Sequence, residues 1–413
     1  MLSPKAPLLR DVLEEHLEEL AFLWGLRRDG ILSPGLTRGD LALLEARIEA
    51  HAEGLLVARG ELLDLAGPLL GSDEPEAAFA AGYVLLRSGR EGAGAVVEAF
   101  RSSSGGGRQG LADALAHGDA RDVREELAAC AASEDACLAL AASAALALQR
   151  ASGLPERLED RFLADADPAI RAAAWRLAPF LREAPRAEAV ARALADPDSG
   201  VALEAAVAAA WFALPSALEA SRAGVRRGGA EAAPWLRLLA VLGDATDLAP
   251  VLAAAGDRAG AGSGAAGPRA FGALGHPRGV EPLLAAMADE DPVRAAAAGA
   301  AFRKVTGFDA TGERRAAVGG AAAAGGDEAD EPPSEEVALP DVEGARAFWD
   351  GARGAFGGGV RWCHGVDVSA GCPGELPDAL DQESRWELRL RGRFTGAWKG
   401  DAAGLFRMSP ASG

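Results

Sequence analysis

The stretch Asp165-Ala-Asp167-Pro168-Ala-Ile170-Arg171-Ala-Ala-Ala174 returns in altered form as Asp196-Pro197-Asp198-Ser-Gly-Val201-Ala-Leu203 and again as Asp289-Glu-Asp291-Pro292-Val293-Arg294-Ala-Ala-Ala297. Ile170 and Val201 lie 31 positions apart and Val201 and Val293 lie 92 apart, almost three further periods of 31. A period of this length suits a helical hairpin that cannot bury its apolar face alone, so stacked neighbours build one continuous core. Asp accepts hydrogen bonds from the orphan N–H groups of a helix start, and Pro fits the first helical position because its missing N–H would be unpaired there. Asp167-Pro168, Asp196-Pro197 and Asp291-Pro292 therefore read as helix starts. The Ala-rich stretches that follow combine helix propensity with side chains small enough for close interhelical approach. Weaker units begin near Glu74-Pro75, Ser104, Glu134 and Gly228, so about eight helical pairs are expected at this period. The expected fold is an all-α, right-handed α-solenoid.

The ends differ from the middle. Leu13, Leu17, Leu20 and Trp24 follow helical spacing beside Glu14, Glu15, Glu18 and Glu19, which gives one apolar and one acidic stripe. Leu41, Leu44, Ile48 and Leu55 form a second such stripe, started by Thr37 or Asp40. Residues 1–60 thus read as an N-terminal helical cap and residues 61–308 as the repeat array. The run Gly319 to Gly326 and the acidic Asp327 to Glu336 lack apolar periodicity, so residues 309–338 are expected to be a flexible linker. Residues 339–413 read as a small separate C-terminal module holding Trp349, Trp362, Trp386 and Trp398.

Composition narrows the function. Of the 413 residues 61 are acidic and 42 basic, a net charge of −19, which opposes sequence-independent attachment to phosphate backbones or anionic membranes. No nucleic-acid partner and no membrane partner is expected. Lys is limited to Lys5, Lys304 and Lys399, Asn is absent, and Ile is limited to Ile31, Ile48 and Ile170, the signature of a GC-rich bacterial genome. Met1 to Lys5 leads directly into an acidic helix, and no apolar run approaches membrane-spanning length. Cys130, Cys137, Cys363 and Cys372 are too few for a disulfide scaffold, so a cytoplasmic protein is expected.

The repeats resemble HEAT-like repeats of the bilin-lyase type, whose units run Asp-Pro-x-Val-Arg-x-Ala-Ala and then Leu-Gly-x-Pro-x-Ala-Val-x-Pro-Leu-Leu. The second half is visible at Leu274-Gly-His-Pro277-Arg-Gly-Val280-Glu-Pro282-Leu-Leu284. The ends add a second resemblance, to an uncharacterised bacterial HEAT-repeat family that opens Phe-Leu-Trp-x-x-Arg and continues Arg-Leu-x-Ala-His-Leu-Asp-Gly-Leu. Here Phe22-Leu-Trp24-Gly-Leu-Arg27 and Arg47-Ile-Glu-Ala-His51-Ala-Glu-Gly54-Leu55 match, with a departure at Ala52-Glu53. Ala300-Ala-Phe302-Arg-Lys-Val-Thr306-Gly307, Phe348-Trp349 and Gly359-Val-Arg361 carry the resemblance to the far end. Members are often encoded beside type VI secretion spike and effector genes, which implies an adaptor role; no catalytic residues come with the resemblance.

Motifs for chemistry fail one by one. Gly105/Gly107/Gly110 and Gly262/Gly264/Gly267 match Gly-x-Gly-x-x-Gly, but neither follows a readable strand as a dinucleotide site requires, so both are expected in loops between helical pairs. No Lys precedes Ser or Thr, which excludes a P-loop ending Gly-Lys-Ser/Thr, and no Gly-x-Ser-x-Gly elbow occurs. Some HEAT proteins hold di-iron through His-Glu pairs; His16, His51, His117, His276 and His364 are followed by Leu, Ala, Gly, Pro and Gly. Cys363, His364 and Cys372 lack a fourth zinc ligand, and His364 is badly placed to serve Cys363 as a base. No catalytic, metal or cofactor residue is expected, and no cofactor. Arg385, Arg389, Arg391 and Arg393, interleaved with Trp386, Phe394 and Trp398, read as internal core, as a protein hot spot or as a stacking platform for bases. Trp175, Trp211 and Trp235 read as core.

The expected function is a non-enzymatic protein-binding scaffold, an adaptor or chaperone for a type VI secretion effector or spike component. Trp24, Arg47, His51, Trp349, Arg361 and Trp362 are the candidate partner-binding residues. The competing readings are a HEAT enzyme of the bilin-lyase-like or DNA-base-excision type and a purely structural spacer.

Overall fold

The computed structural model describes residues 10–58, 60–150, 160–318, 335–357, 361–371 and 376–408. Helix accounts for 69% of the structure, against little strand, so the protein is all-α in its architecture. The chain divides into two compact units. The first comprises Met1–Ala208, Asp381–Glu383 and Gly400–Gly413, and the second Ala209–Leu380 and Ser384–Lys399.

In the first unit, helix α1 (Arg10–Gly30) and helix α2 (Arg38–Leu56) form the opening pair. Thr37 caps α2 in a reciprocal capping box with Asp40, so both candidate starting residues take part. Helix α1 packs on Pro75–Leu85, which packs on Gly105–His117, then Ala136–Gln149, then Pro168–Leu177. Arg90–Ser102 and Arg124–Ala131 lie against this row as second helices of their pairs. In the second unit Ala233–Leu242, Ala266–Leu274 and Pro292–Thr306 form a corresponding row, backed by Ser216–Arg227, Leu248–Gly256 and Val280–Met287. Along the chain, the helix starts Pro75, Gly105, Ala136, Pro168, Ser199, Ala233, Ala266 and Pro292 recur every 26 to 34 residues, the repeat read from the sequence.

The Asp-x-Asp boundary works as two linked bonds. Asp165 accepts from the Asp167 N–H and Asp167 from the Ala169 N–H; Asp289 and Asp291 repeat the arrangement. At the middle copy the expected start is displaced. The helix begins at Ser199, and Asp198, not Asp196, accepts from Val201 N–H. Asp196 takes the place of Asp165 and Asp289, accepting from the Asp198 N–H at 2.9 Å, and Arg171 of the preceding repeat also holds its carboxylate through both ends of the guanidinium, each bond 2.8 Å. Arg108–Asp135 and Arg222–Asp247 join other successive repeats at 3.0 and 2.7 Å. Such fork-to-fork pairs fix geometry as well as adding energy.

The sequence reading is corrected at three further points. Gly105, Gly107 and Gly110 lie in the helix Gly105–His117, where a side chain at Gly107 or Gly110 would run into the Ser72 or Pro75 carbonyl. They permit close backbone approach, which hydropathy alone does not reveal. Gly267 likewise opens a helix, against the Ala255 carbonyl. The span 309–338, expected as linker, contains strand β1 (Thr311–Val318) and most of strand β2 (Glu335–Pro340), which pair antiparallel with Val318 opposite Glu335. Both lie against Pro292–Thr306, which supplies the apolar backing their own composition lacks. The Gly-rich and acidic centre, 319–334, lies outside the described residues. Finally, residues 339–413 do not form a unit of their own, since Ala209–Leu380 and Ser384–Lys399 belong together while Gly400–Gly413 belongs with the N-terminal helices.

Trp175, Trp211 and Trp235 are buried. Among the described residues no helix is long and apolar enough to cross a membrane, and Cys130 and Cys137 are free thiols.

Candidate partner-binding surface

Helices α1 and α2 run antiparallel. The register is set by His16 and His51, whose Nδ1 atoms are 2.8 Å apart, and by Glu19 and Arg47 at 3.8 Å. The buried side of α1 presents Leu13, Leu17, Leu20, Leu23 and Trp24, spacings of three and four that keep one face inward. Trp24 is 2% exposed, stacked on Phe79 with ring centroids 3.7 Å apart. Arg27, equally buried, donates from Nε to Glu45 at 2.8 Å and from Nη2 to the Phe406 carbonyl at 2.8 Å. Of the Phe-Leu-Trp-x-x-Arg stretch, Arg27 therefore ties α1 to α2 and Trp24 ties it to the helix Pro75–Leu85. Trp24 has no surface left to offer a partner, a correction to its assignment as a binding residue.

The other side of the pair is unusually apolar for a solvent-facing helical surface. Phe22 is 59% exposed, Leu26 43% and Leu43 68%. Val12, Glu15, Glu19, Phe22 and Leu26 follow one another at three- and four-residue steps, as do Leu43, Arg47, Ala50, Gly54 and Val57 on α2; each set lies on one helical face. The Glu19–Arg47 and His16–His51 contacts join the two faces into one surface. Arg47 is more than half exposed and His51 is partly exposed. Burial, then His16, lowers the His51 pKa, so the pair is held together in a state that is not doubly charged. The arrangement is an apolar strip bordered by Glu15, Glu18 and Glu53, all exposed, with the Arg47 guanidinium beside Glu19.

Phe22, Leu26 and Leu43 were missed in the sequence because periodicity was assigned to the buried stripe alone. The available signal was Phe22 itself, a large aromatic two positions from Trp24 and so nearly opposite it on the helix.

The other candidates lie in the second unit. Trp349, on Val342–Ala352, is 5% exposed and packs in its core beside Phe356, ring centroids 5.3 Å apart. Arg361 donates to the Ala240 and Gly243 carbonyls, both at 2.7 Å. Arg391 donates to the Val241 carbonyl at 2.9 Å and the Gly243 carbonyl at 3.0 Å. Two guanidinium groups thereby satisfy the terminal carbonyls of the Ala233–Leu242 helix, which no intrahelical donor reaches. Burial, then Arg391, lowers the Arg361 pKa; these carbonyl dipoles offset part of that penalty. Trp362 packs at the edge of the same core and its backbone N–H donates to the Gly275 carbonyl at 2.8 Å. The structure thus brings Trp349, Arg361 and Trp362 together as internal packing groups, Trp349 buried and the other two partly exposed. Gly359 lies outside the described residues, as does Cys372.

The Arg–Trp run resolves the same way. Trp386 stacks on Trp211 at 5.2 Å, Arg393 donates to the Trp211 carbonyl at 3.1 Å, and Arg389 lies over Trp398 at 5.1 Å. Arg385 donates to the Pro377 carbonyl at 2.6 Å. Glu387 pairs with Lys304 at 2.6 Å and Arg237 at 2.9 Å; burial opposes its charge, yet these two cations hold the carboxylate below its ordinary range. The run is a core, as one of its readings held.

No family model matches the chain, and no curated protein matches it.

Proposed function

We propose that the protein is a non-enzymatic binding scaffold, a right-handed α-solenoid of HEAT-like repeats that engages a protein partner through the outer face of α1 and α2. The observation that carries this reading is the exposed apolar strip of Phe22, Leu26 and Leu43 around Arg47 and His51 on the α1–α2 pair. Contiguous apolar surface rimmed by polar groups is the mark of an interaction site, and an aromatic anchor next to Arg has the composition of an interface hot spot. The acidic border and the net charge of −19 favour a partner segment that is amphipathic and basic. The resemblance of Phe22-Leu-Trp24 and Arg47 to His51 to a family encoded beside type VI secretion genes supports an effector or spike component as that partner, with this chain as its cytoplasmic adaptor or chaperone.

The test is co-purification of wild type and a Phe22→Ala/Leu43→Ala variant with the products of the flanking genes. The variant should lose a partner that wild type retains while melting at the same temperature. Retention of every partner by the variant would remove this face from the binding surface.

A further inference from the structure

A second feature of the first unit lies away from that face. Helices Gly105–His117, Ala136–Gln149 and Pro168–Leu177 enclose a cleft of about 540 Å³. Its walls are apolar, with Leu140, Ala144, Leu148, Ile170, Leu177 and Phe180 among them. That volume and lining are those of a small-molecule site rather than of a groove for a folded partner.

The polar groups in the lining separate sharply. Arg108 is engaged by Asp135 at 3.0 Å and by the Ser103 carbonyl at 2.7 Å. Asp167 accepts from the Ala169 N–H at 2.8 Å, and Arg176 faces Glu204 at 3.7 Å. Asp113 has no such partner among the described residues. Asp113 is half-buried at the side of the cleft, with protein around most of its carboxylate. The nearby cations of α1 are already taken, Arg27 by Glu45 at 2.8 Å and Arg28 by Glu76 at 2.6 Å. The Trp24 indole N–H is directed toward Asp113 but makes no hydrogen bond of ordinary geometry. A lone carboxylate at the side of an apolar cleft is incomplete by itself, because a buried charge without a partner is costly.

We propose that the cleft binds a small apolar amine, its ammonium group paired with Asp113 and its hydrocarbon body against Leu140, Ile170 and Phe180. The ammonium supplies the donor and the charge that Asp113 lacks. Burial, which pushes the Asp113 pKa up to about 7, is the penalty the pair relieves. A carboxylate ligand of the same shape would meet repulsion from Asp113, and an alcohol would gain the apolar contacts without the ion pair.

Cys137 makes the site readable. It lines the cleft and is exposed, while Cys130 and Cys363 are buried. In full-length protein carrying Cys372→Ser, alkylation of Cys137 by iodoacetamide is followed with octylamine, octanol or octanoate present, alongside calorimetric titration. Octylamine should protect Cys137 saturably and bind at least about tenfold more tightly than octanol, as expected for a charge-assisted bond; octanoate should bind weakest. Asp113→Asn should bring octylamine down to the level of octanol, and Ala144→Phe, which fills the cleft, should abolish protection by both. Thermal melting of each variant establishes that it is folded. Equal binding of octanoate and octylamine, an unchanged octylamine affinity in folded Asp113→Asn, or no binding by any probe would overturn the proposal.

Discussion

Asp113 makes the stability of the first unit depend on pH in a direction opposite to that of most carboxylates. Burial raises its pKa from an ordinary 3.8 to about 7, with Arg28 and Arg27 opposing the shift more weakly. The native state therefore binds a proton that the unfolded chain has released, and stability falls as pH rises between these two values. Of the groups around it, His117 contributes in part of the same window, below its ordinary value near 6.5, and in the opposite sense. Arg27 and Arg28 remain charged, and His117, one turn along the same helix and accepting from the Met408 N–H, is held well below its ordinary range by burial and then Arg27. Integrating the linkage from pH 5 to pH 8 gives a loss of roughly 2–3 kcal/mol at 1.36 kcal/mol per pKa unit. Asp113→Asn keeps the shape and removes the titration. The assay is urea unfolding of both proteins from pH 5 to 8, reading only the difference between them so that other titrating groups cancel. The variant should gain on wild type by that amount as pH rises. A difference that stays flat, or that moves in favour of wild type at high pH, would refute the argument that Asp113 is a buried, unpaired carboxylate.

Three further outcomes follow from packing and hydrogen bonding. Trp24→Ala should cost about 3–5 kcal/mol of unfolding free energy, the usual loss for a buried aromatic, while Phe22→Ala should stay within about 0.5 kcal/mol; comparable losses at both sites would mean the two faces of α1 have been misassigned. Arg361→Ala strips donors from the Ala240 and Gly243 carbonyls and should cost about 2–4 kcal/mol, counting charged hydrogen bonds and the orphaned acceptors, as measured by urea unfolding; Arg361→Lys should recover only part of it. Because the His51 pKa is lowered, its contribution is complete above the ordinary histidine value near 6.5 and is lost as pH falls below it; His51→Gln should flatten that decline in a comparison of melting at pH 7.5 and 5.5.

The helical repeat was legible because its signals are local. Asp167 and Asp291 cap their helices through bonds only two residues long, and Thr37 with Asp40 through bonds three residues long, so their chemistry is written in adjacent positions. Pairings distant in sequence left no comparable trace. Arg171 reaches Asp196 across 25 residues, a link between repeats that neither local stretch announces. The pairing of β1 with β2 depends on the backing of the Pro292–Thr306 helix, which the strands' own polar composition does not announce. The division of the last 75 residues escaped for the same reason, since the contacts that tie Gly400–Gly413 to the first unit, among them the bonds from Arg27 to the Phe406 carbonyl and from the Met408 N–H to His117, span hundreds of positions.

The candidate surface was half legible, and the failure has one physical origin. A resemblance marks which residues recur but not whether they recur for folding or for contact. Trp24 and Arg27 recur within a stretch whose remaining aromatic, Phe22, points the other way, because two residues advance about 200° around a helix. Burial follows from that angle: Trp24 closes on Phe79, and Phe22 is left 59% exposed. On α2, Ile48 lies about 100° around the helix from Arg47 and about 140° from Leu43, putting Ile48 in the core and the other two outside. What distinguishes contact residues in such a cap is therefore an apolar side chain on the stripe that also carries charges, since core packing cannot account for it there. By that criterion Phe22, Leu26 and Leu43 qualify beside Glu19 and Arg47, whereas Trp24, Trp349 and Arg361 are explained by the cores and helix ends they complete.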